Sequence, residues 1–236
     1  MAITFHVNES LKDCVLVTGF HGLGATGYIA VKHAVTSLNA ELIGYIESER
    51  IPPFVSMDDG HLSLPFEVYR KGKFVFVITN VPPHPKERQA FSKELAAWTV
   101  REGFSMSYLI GGLDNRLRPT DSDKLRCTIT RAYKNQSELS IPMLEKGLFV
   151  VGPLAVMLAY FEISNFPAIS LLPYANPTRP DPMASAVAME YLNKLANLNI
   201  DVSPLLTDAQ KIESEIQELM KQRQERVKTD QRTLYI

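Results

Sequence analysis

An α/β fold is what this 236-residue sequence predicts: a three-layer α/β/α sandwich on a mixed, largely parallel sheet, with a long helix projecting from its C-terminal end. Three observations carry that expectation. Strand-like apolar runs alternate with helical periodicities over most of the length, as layered α/β domains require. The first such pair is joined by a glycine-rich turn, "CVLVTGFHGLGATGYIAVKHAV". The last stretch is polar and helical throughout, with no strand left to cover. The expected divisions are an α/β core over 1–202, a partly coiled-coil-like helix over 203–230 and a flexible tail over 231–236.

The elements follow in order. Val15 to Gly19 is a short apolar strand, and Gly24 to Leu38 a helix with Tyr28, Val31, Val35 and Leu38 near a 3.6 spacing. Leu42 to Ile46 returns as a strand. "LSLPFEVYRKGKFVFVITNV" reads as a hairpin turning at Lys71-Gly72-Lys73. The next helix enters behind Pro85 and stops at Gly103, in keeping with proline at helix starts and glycine just past their ends. "MSYLIGG" is a buried strand, "LDNRLRPTDSD" a polar loop and "KLRCTIT" a further strand. An apolar helix follows Gly152-Pro153, then the strand "AISLLPYA". A helix from Asp181 has Pro182 at its first position and turns Val187, Tyr191, Leu192 and Leu195 inward.

Composition narrows the function classes. Hydrophobic residues make up 45% and charged residues 22%, ordinary for a globular chain. A net charge of −1 gives no electrostatic reason to expect nucleic acid or an anionic membrane as partner. Cys14 and Cys127 lie in apolar strand-like runs and read as buried hydrophobes in a reducing compartment rather than as a disulfide. "MAITFHVNESLKD" lacks a basic segment followed by an apolar one, and "LFVVGPLAVMLAYF" is broken by Gly152-Pro153, short of the ~20 residues of a membrane span. The expectation is a soluble, cytoplasmic protein.

The glycine turn admits two readings. Gly22, Gly24 and Gly27 fit G-x-G-x-x-G, whose second glycine admits a pyrophosphate at a helix N-terminus, and Glu47 or Glu49 stands where a ribose partner belongs. That reading makes the chain a nucleoside- or nucleotide-binding enzyme. Against it, the strand has already met Gly19, Phe20 and His21 intervene before the triplet, and Tyr28 sets a ring directly after the last glycine. The favoured alternative is a strand-to-helix turn whose glycines serve positive φ and close packing. Catalytic patterns are otherwise thin: His6, His21, His33, His61 and His84 never pair at metal-ligand spacing, and there is neither a nucleophile elbow nor a phosphate loop. No catalytic residue, metal or cofactor is expected. Asp114, Asn115, Arg116 and Arg118 either line a pocket behind "LIGG" or form a solvated loop, the second being favoured.

In the terminal helix Thr207 and Gln210 suggest a capping box, acidic residues crowd the first half and basic residues the second. Ala209, Ile212, Ile216 and Leu219 fall at a 3-4-3 spacing, an oligomerisation seam or a face docked on the chain's own sheet. From Asp208 to Lys228 such a helix spans roughly 30 Å. It leads to Leu234-Tyr235-Ile236, an apolar residue, a tyrosine and a final residue. A peptide of that form binds by placing an apolar anchor and a phenol in a slot while a cation takes the terminal carboxylate.

The chain resembles the proteasome assembly chaperone 2 family in its archaeal form. The residues that carry the likeness are "GFHGLGATGYIA", "DDGHLSLP", "LAAWTVREGFSMSYLIGG", "RPDPMASAVAMEYLNKLANLNID" and "LLTDAQKIESEIQELM", in that order between about residues 10 and 220. The resemblance implies an α/β domain similar to nucleoside phosphorylases, assembled as a homo-oligomer and non-enzymatic. It also implies that Leu234, Tyr235 and Ile236 match the hydrophobic–Tyr–X (HbYX) signature, which enters pockets between α-subunits of the proteasome core particle to promote assembly, gate opening or both. Gly152-Pro153 departs from the family, standing where a more glycine-rich turn is expected.

Overall fold

The structure is a computed structural model that describes residues 3–58, 60–134 and 141–233, with side chains through Glu218. Its elements, in chain order, begin with β1 (Ile3–Val7), β2 (Val15–Gly19), α1 (Thr26–Ser37), β3 (Glu41–Ser48), β4 (Ser56–Asp58) and β5 (His61–Ser63). There follow β6 (Phe66–Lys71), β7 (Phe74–Thr79), α2 (Arg88–Arg101), β8 (Met106–Ile110), β9 (Leu113–Asp114) and β10 (Leu125–Ile129). The remainder is α3 (Arg131–Lys134), α4 (Pro153–Ile163), β11 (Ala168–Ala175), α5 (Pro182–Ala196) and α6 (Ser203–Thr233).

The expected mixed sheet is present, in the order β1-β3-β6-β7-β2-β8-β11-β10, with β9 pairing β11. Its centre, β7-β2-β8-β11, is parallel. Antiparallel strands flank it, β6, β3 and β1 on one side and β10 on the other. Central strands read as unbroken apolar runs because both their faces are covered. Alternation then sorts each side chain to a layer: Val15, Val17, Phe76, Tyr108, Ile110 and Leu171 pack with α1 and α5, while Leu16, Val75, Val77, Leu109 and Leu172 pack with α2 and α4.

Small residues set the spacing on the first face. Ala30 and Ala34 of α1 and Ala184, Ala186 and Ala188 of α5 are buried, with Met189 and Leu192 filling the space beneath. Val187, Tyr191 and Leu195, expected to point inward, lie at the margin of that layer. Asp181 caps α5 by accepting from Ala184 N–H at 3.0 Å, with Pro182 in the first turn, as the sequence predicts. On the second face Phe91, Leu95, Trp98, Met157 and Phe161 are buried.

Four short strands escape the sequence reading: β1, which pairs antiparallel with β3, the two strands of the small β4–β5 hairpin, which turns at Gly60 with φ +83°, and β9, which lies in the stretch read as a loop. The capping box at Thr207 is also corrected. Helix α6 begins at Ser203, as the expected division has it, and its cap is one turn ahead of Thr207: the Ser203 N–H donates to the Asp201 carboxylate at 2.9 Å, with Pro204 in the first turn. Thr207 is already inside the helix, donating to the Ser203 carbonyl at 3.0 Å. Two carboxylates are buried in the body, Glu67 and Glu87; Glu67 accepts from Leu64 N–H (2.8 Å), Tyr69 Oη–H (2.9 Å) and Asn80 Nδ2–H (2.9 Å), which fastens the start of β6 to the end of β7.

Candidate functional site at the carboxyl edge of the sheet

The parallel strands β2, β8 and β11 end at one edge, where α/β folds place their ligands. The glycine turn, β9 and the start of α5 meet there. Gly19 and Gly27 touch backbone to backbone: a Cβ on Gly27 would stand 2.4 Å from the Ile110 carbonyl oxygen and 2.7 Å from Phe20 N. Gly24 has φ +61°, and a Cβ there would lie 2.9 Å from Asp181 Cβ and 3.1 Å from Ala175 Cβ. The Asp181 N–H donates to the Gly24 carbonyl at 2.8 Å. So the second glycine, which would admit a pyrophosphate in a dinucleotide turn, faces an acidic residue of the same chain. Gly22 alone looks onto open space. Packing accounts for Gly24 and Gly27.

His21 stacks on Tyr28 with ring centroids 4.1 Å apart, and its Nδ1 is buried with no hydrogen-bond partner among the described residues. Burial lowers its pKa from 6.5. Above that value both folded and unfolded states are neutral here; below it the unfolded chain takes the proton more readily, so stability falls as pH drops toward the folded pKa. Replacing His21 with Phe keeps the stack and removes the titration. Melting temperatures at pH ~7.5 and ~5 should therefore fall less in His21→Phe than in the native chain; an equal fall in both would exclude His21 as a source of acid sensitivity.

The loop after β8 divides between local structure and surface. The Asp114 carboxylate accepts from Arg116 N–H (3.0 Å) and Nε–H (2.9 Å), which pulls its pKa down to about 2. Those two residues satisfy each other, while Asn115 and Arg118 border a crevice that also reaches α5 and α6. Sequence reading missed two basic residues on that crevice, Lys124 and Arg179. The second lies in "RPDPMAS", where the proline-flanked Asp181 was the visible signal.

Helix α6 docks on the body by its first turns: Leu205 is buried and Leu206 packs beside it against the α1/α5 layer. Farther along, Arg179 Nη2 pairs with Glu213 Oε2 at 3.0 Å, tying the β11–α5 connection to the helix. Ile212 and Ile216 are half-buried. The Leu219 side chain and the residues Leu234, Tyr235 and Ile236 lie outside what the structure describes.

Among the described residues no His, Cys, Asp and Glu group is arranged to hold a metal ion. Both cysteines are free and buried, and burial pushes the Cys127 thiol up to about 11, leaving it far from a reactive thiolate. No described helix is long and apolar enough to cross a membrane.

Comparison with known proteins decides the family. The PAC2 family model matches residues 16–220, spanning every layer of the sandwich and the docked part of α6. The chain belongs to the PAC2 family. Among PAC2-like relatives, the uncharacterized protein MJ0106 of Methanocaldococcus jannaschii is 24% identical over 216 residues, 89% of this chain and 87% of that one. Two solved structures from Pyrococcus furiosus share the fold. PbaA, described as an archaeal homolog of proteasome-assembly chaperone, superposes with a TM-score of 0.81 at 24% identity over 99% of both chains. PbaB, described as an archaeal proteasome activator, superposes at 0.74 with 17% identity, covering 93% of this chain and 98% of its own. At these identities the likeness is one of fold, and the PAC2 sandwich is common to all three.

Proposed function

We propose that this PAC2 chain is a non-enzymatic assembly chaperone or activator of the proteasome core particle, acting in the cytoplasm as a homo-oligomer. The observation that carries the reading is the pairing of a PAC2 body, matched in fold by an assembly-chaperone homologue and by a proteasome activator, with the sequence Leu234-Tyr235-Ile236. In this reading the body over 1–202 is a platform, the helix over 203–230 a spacer and the residues 231–236 the ligand. Leu234 anchors in a pocket between neighbouring α-subunits, Tyr235 hydrogen-bonds at its rim, and the Ile236 carboxylate meets a cation. Ile212, Ile216 and Leu219 supply the seam between copies. Several tails on one oligomer raise the effective concentration of each, so avidity exceeds single-tail affinity by ~10²–10⁴.

The competing reading, a nucleotide enzyme on the Gly22-Gly24-Gly27 turn, gains nothing from Asp181 standing against Gly24. The test of the tail is Tyr235→Ala. Co-sedimentation with purified archaeal core particle is expected to be lost while circular dichroism and melting temperature stay at native values. Undiminished co-sedimentation would remove Tyr235 from the interface.

A further inference from the structure

The crevice at the carboxyl edge has a volume of about 450 Å³, within the ~300–1,000 Å³ of small-molecule sites. Its lining is mixed in chemistry. It includes the cations Arg118, Lys124 and Arg179 and the apolar side chains of Met183 and Val187 of α5 and Ala209 of α6.

Three cations, Arg118, Lys124 and Arg179, stand with two carboxylates, Asp181 and Glu213, which leaves the crevice with an excess of positive charge. Arg118 is held by backbone carbonyls, donating from Nη2 to Asp121 O (2.6 Å) and from Nε to Asp123 O (2.7 Å), which orient its guanidinium without neutralising it. The Lys124 ammonium has no ion pair or hydrogen bond among the described residues. Arg179 meets a carboxylate of the crevice, Glu213, at 3.0 Å. The other carboxylate there, Asp181, is committed to the backbone, accepting from Ala184 N–H (3.0 Å) and Asn176 N–H (2.8 Å). Tyr174 also lines the crevice: it is 7% exposed, and its buried hydroxyl has no hydrogen-bond partner among the described residues. A buried hydroxyl in that condition is costly, and an acceptor in the crevice would relieve it.

We propose that this crevice binds a small organic anion: a phosphate or carboxylate head on Arg118, Lys124 and Arg179, carried by an apolar body against Met183, Val187 and Ala209. No residue of the glycine turn lines the site, although Asp181 stands between the two, and the proposal does not depend on the proteasome reading. Because α6 forms one wall, the ligand bridges the sandwich and the last helix.

Isothermal titration of the full chain with phenyl phosphate, benzoate, inorganic phosphate and benzyl alcohol tests it. Phenyl phosphate or benzoate is expected to bind at millimolar concentration, the tighter of the two identifying the head group, with benzyl alcohol silent. Lys124→Glu should weaken that anion by about tenfold or more, while Arg101→Gln, on α2 across the sheet, leaves it unchanged. Unaltered melting temperatures confirm that both variants fold. Failure of both aromatic anions, equal affinity for inorganic phosphate, or binding indifferent to Lys124→Glu would overturn the proposal.

Discussion

Gly27→Ala is expected to destabilise the protein by about 3 kcal/mol or more, whereas Gly22→Ala, in the same motif, costs about 1 kcal/mol or less. The difference lies in what each new methyl meets. At Gly27 it lands 2.4 Å from the Ile110 carbonyl and 2.7 Å from Phe20 N, both backbone atoms that no rotamer change can move. Relief requires α1 to lift from β2 and β8, which opens the buried layer of Val17, Ala30 and Ile110. At Gly22 φ is −106° and nothing lies within 4 Å. Urea unfolding followed by circular dichroism measures both. Similar small losses at the two positions would mean that the turn is looser than the backbone contacts imply.

Trp98→Ala should cost about 3–5 kcal/mol, the range for emptying a large aromatic site in a core. Trp98 is 3% exposed and stands between two other rings: Phe5 stacks on it at 4.4 Å with 5° between planes, and Phe104 tilts against it at 5.3 Å. The Phe5 contact is what fastens the edge strand β1 to α2, so local opening of Ile3–Val7 should accompany the global loss. Hydrogen exchange resolves the two effects. Protection of β1 unchanged in Trp98→Ala would show that its pairing with β3 suffices to hold it.

These positions also mark how far the sequence was legible. The parallel strands β2, β7, β8 and β11 announce themselves because strands buried on both faces are continuous apolar runs. Helices α2 and α5 announce themselves through Gly103, Asp181 and Pro182. Strand β1 does not, although "ITFHV" alternates apolar and polar residues and its burial alternates with them; it is only five residues long, and the ring stack to Trp98 that secures it lies far off in the sequence. The β4–β5 hairpin exposes Met57 and Leu62, so it lacks the one-sided burial that marks a strand. The start of α6 at Ser203 agrees with the expected division, but its cap does not agree with the expected one: the Asp201 carboxylate takes the Ser203 N–H, and Thr207 lies inside the helix.

The glycine triplet gives the sharper lesson about sites. Its spacing is compatible with a dinucleotide turn and with a packing turn alike. What separates them is the residue opposite Gly24, and Asp181 comes from the far end of the chain. For the same reason the cations of the crevice were read only in part: Arg118 and Lys124 lie on the β9–β10 connection and Arg179 on the β11–α5 connection, which folding brings together. The proposed ligand, Leu234-Tyr235-Ile236, is the reverse case: it is a reading of sequence alone, on residues outside those described.

The central claim is that those residues act on the proteasome core particle. The most direct measurement is peptide hydrolysis by purified archaeal core particle in the presence of the full chain and of a chain lacking Leu234–Ile236, with co-sedimentation read in the same samples. Expected is binding by the full chain and none by the shortened one. Faster hydrolysis lost on deletion would assign gate opening, and unchanged hydrolysis an assembly role. Equal binding by both chains, or binding by neither, would contradict the claim.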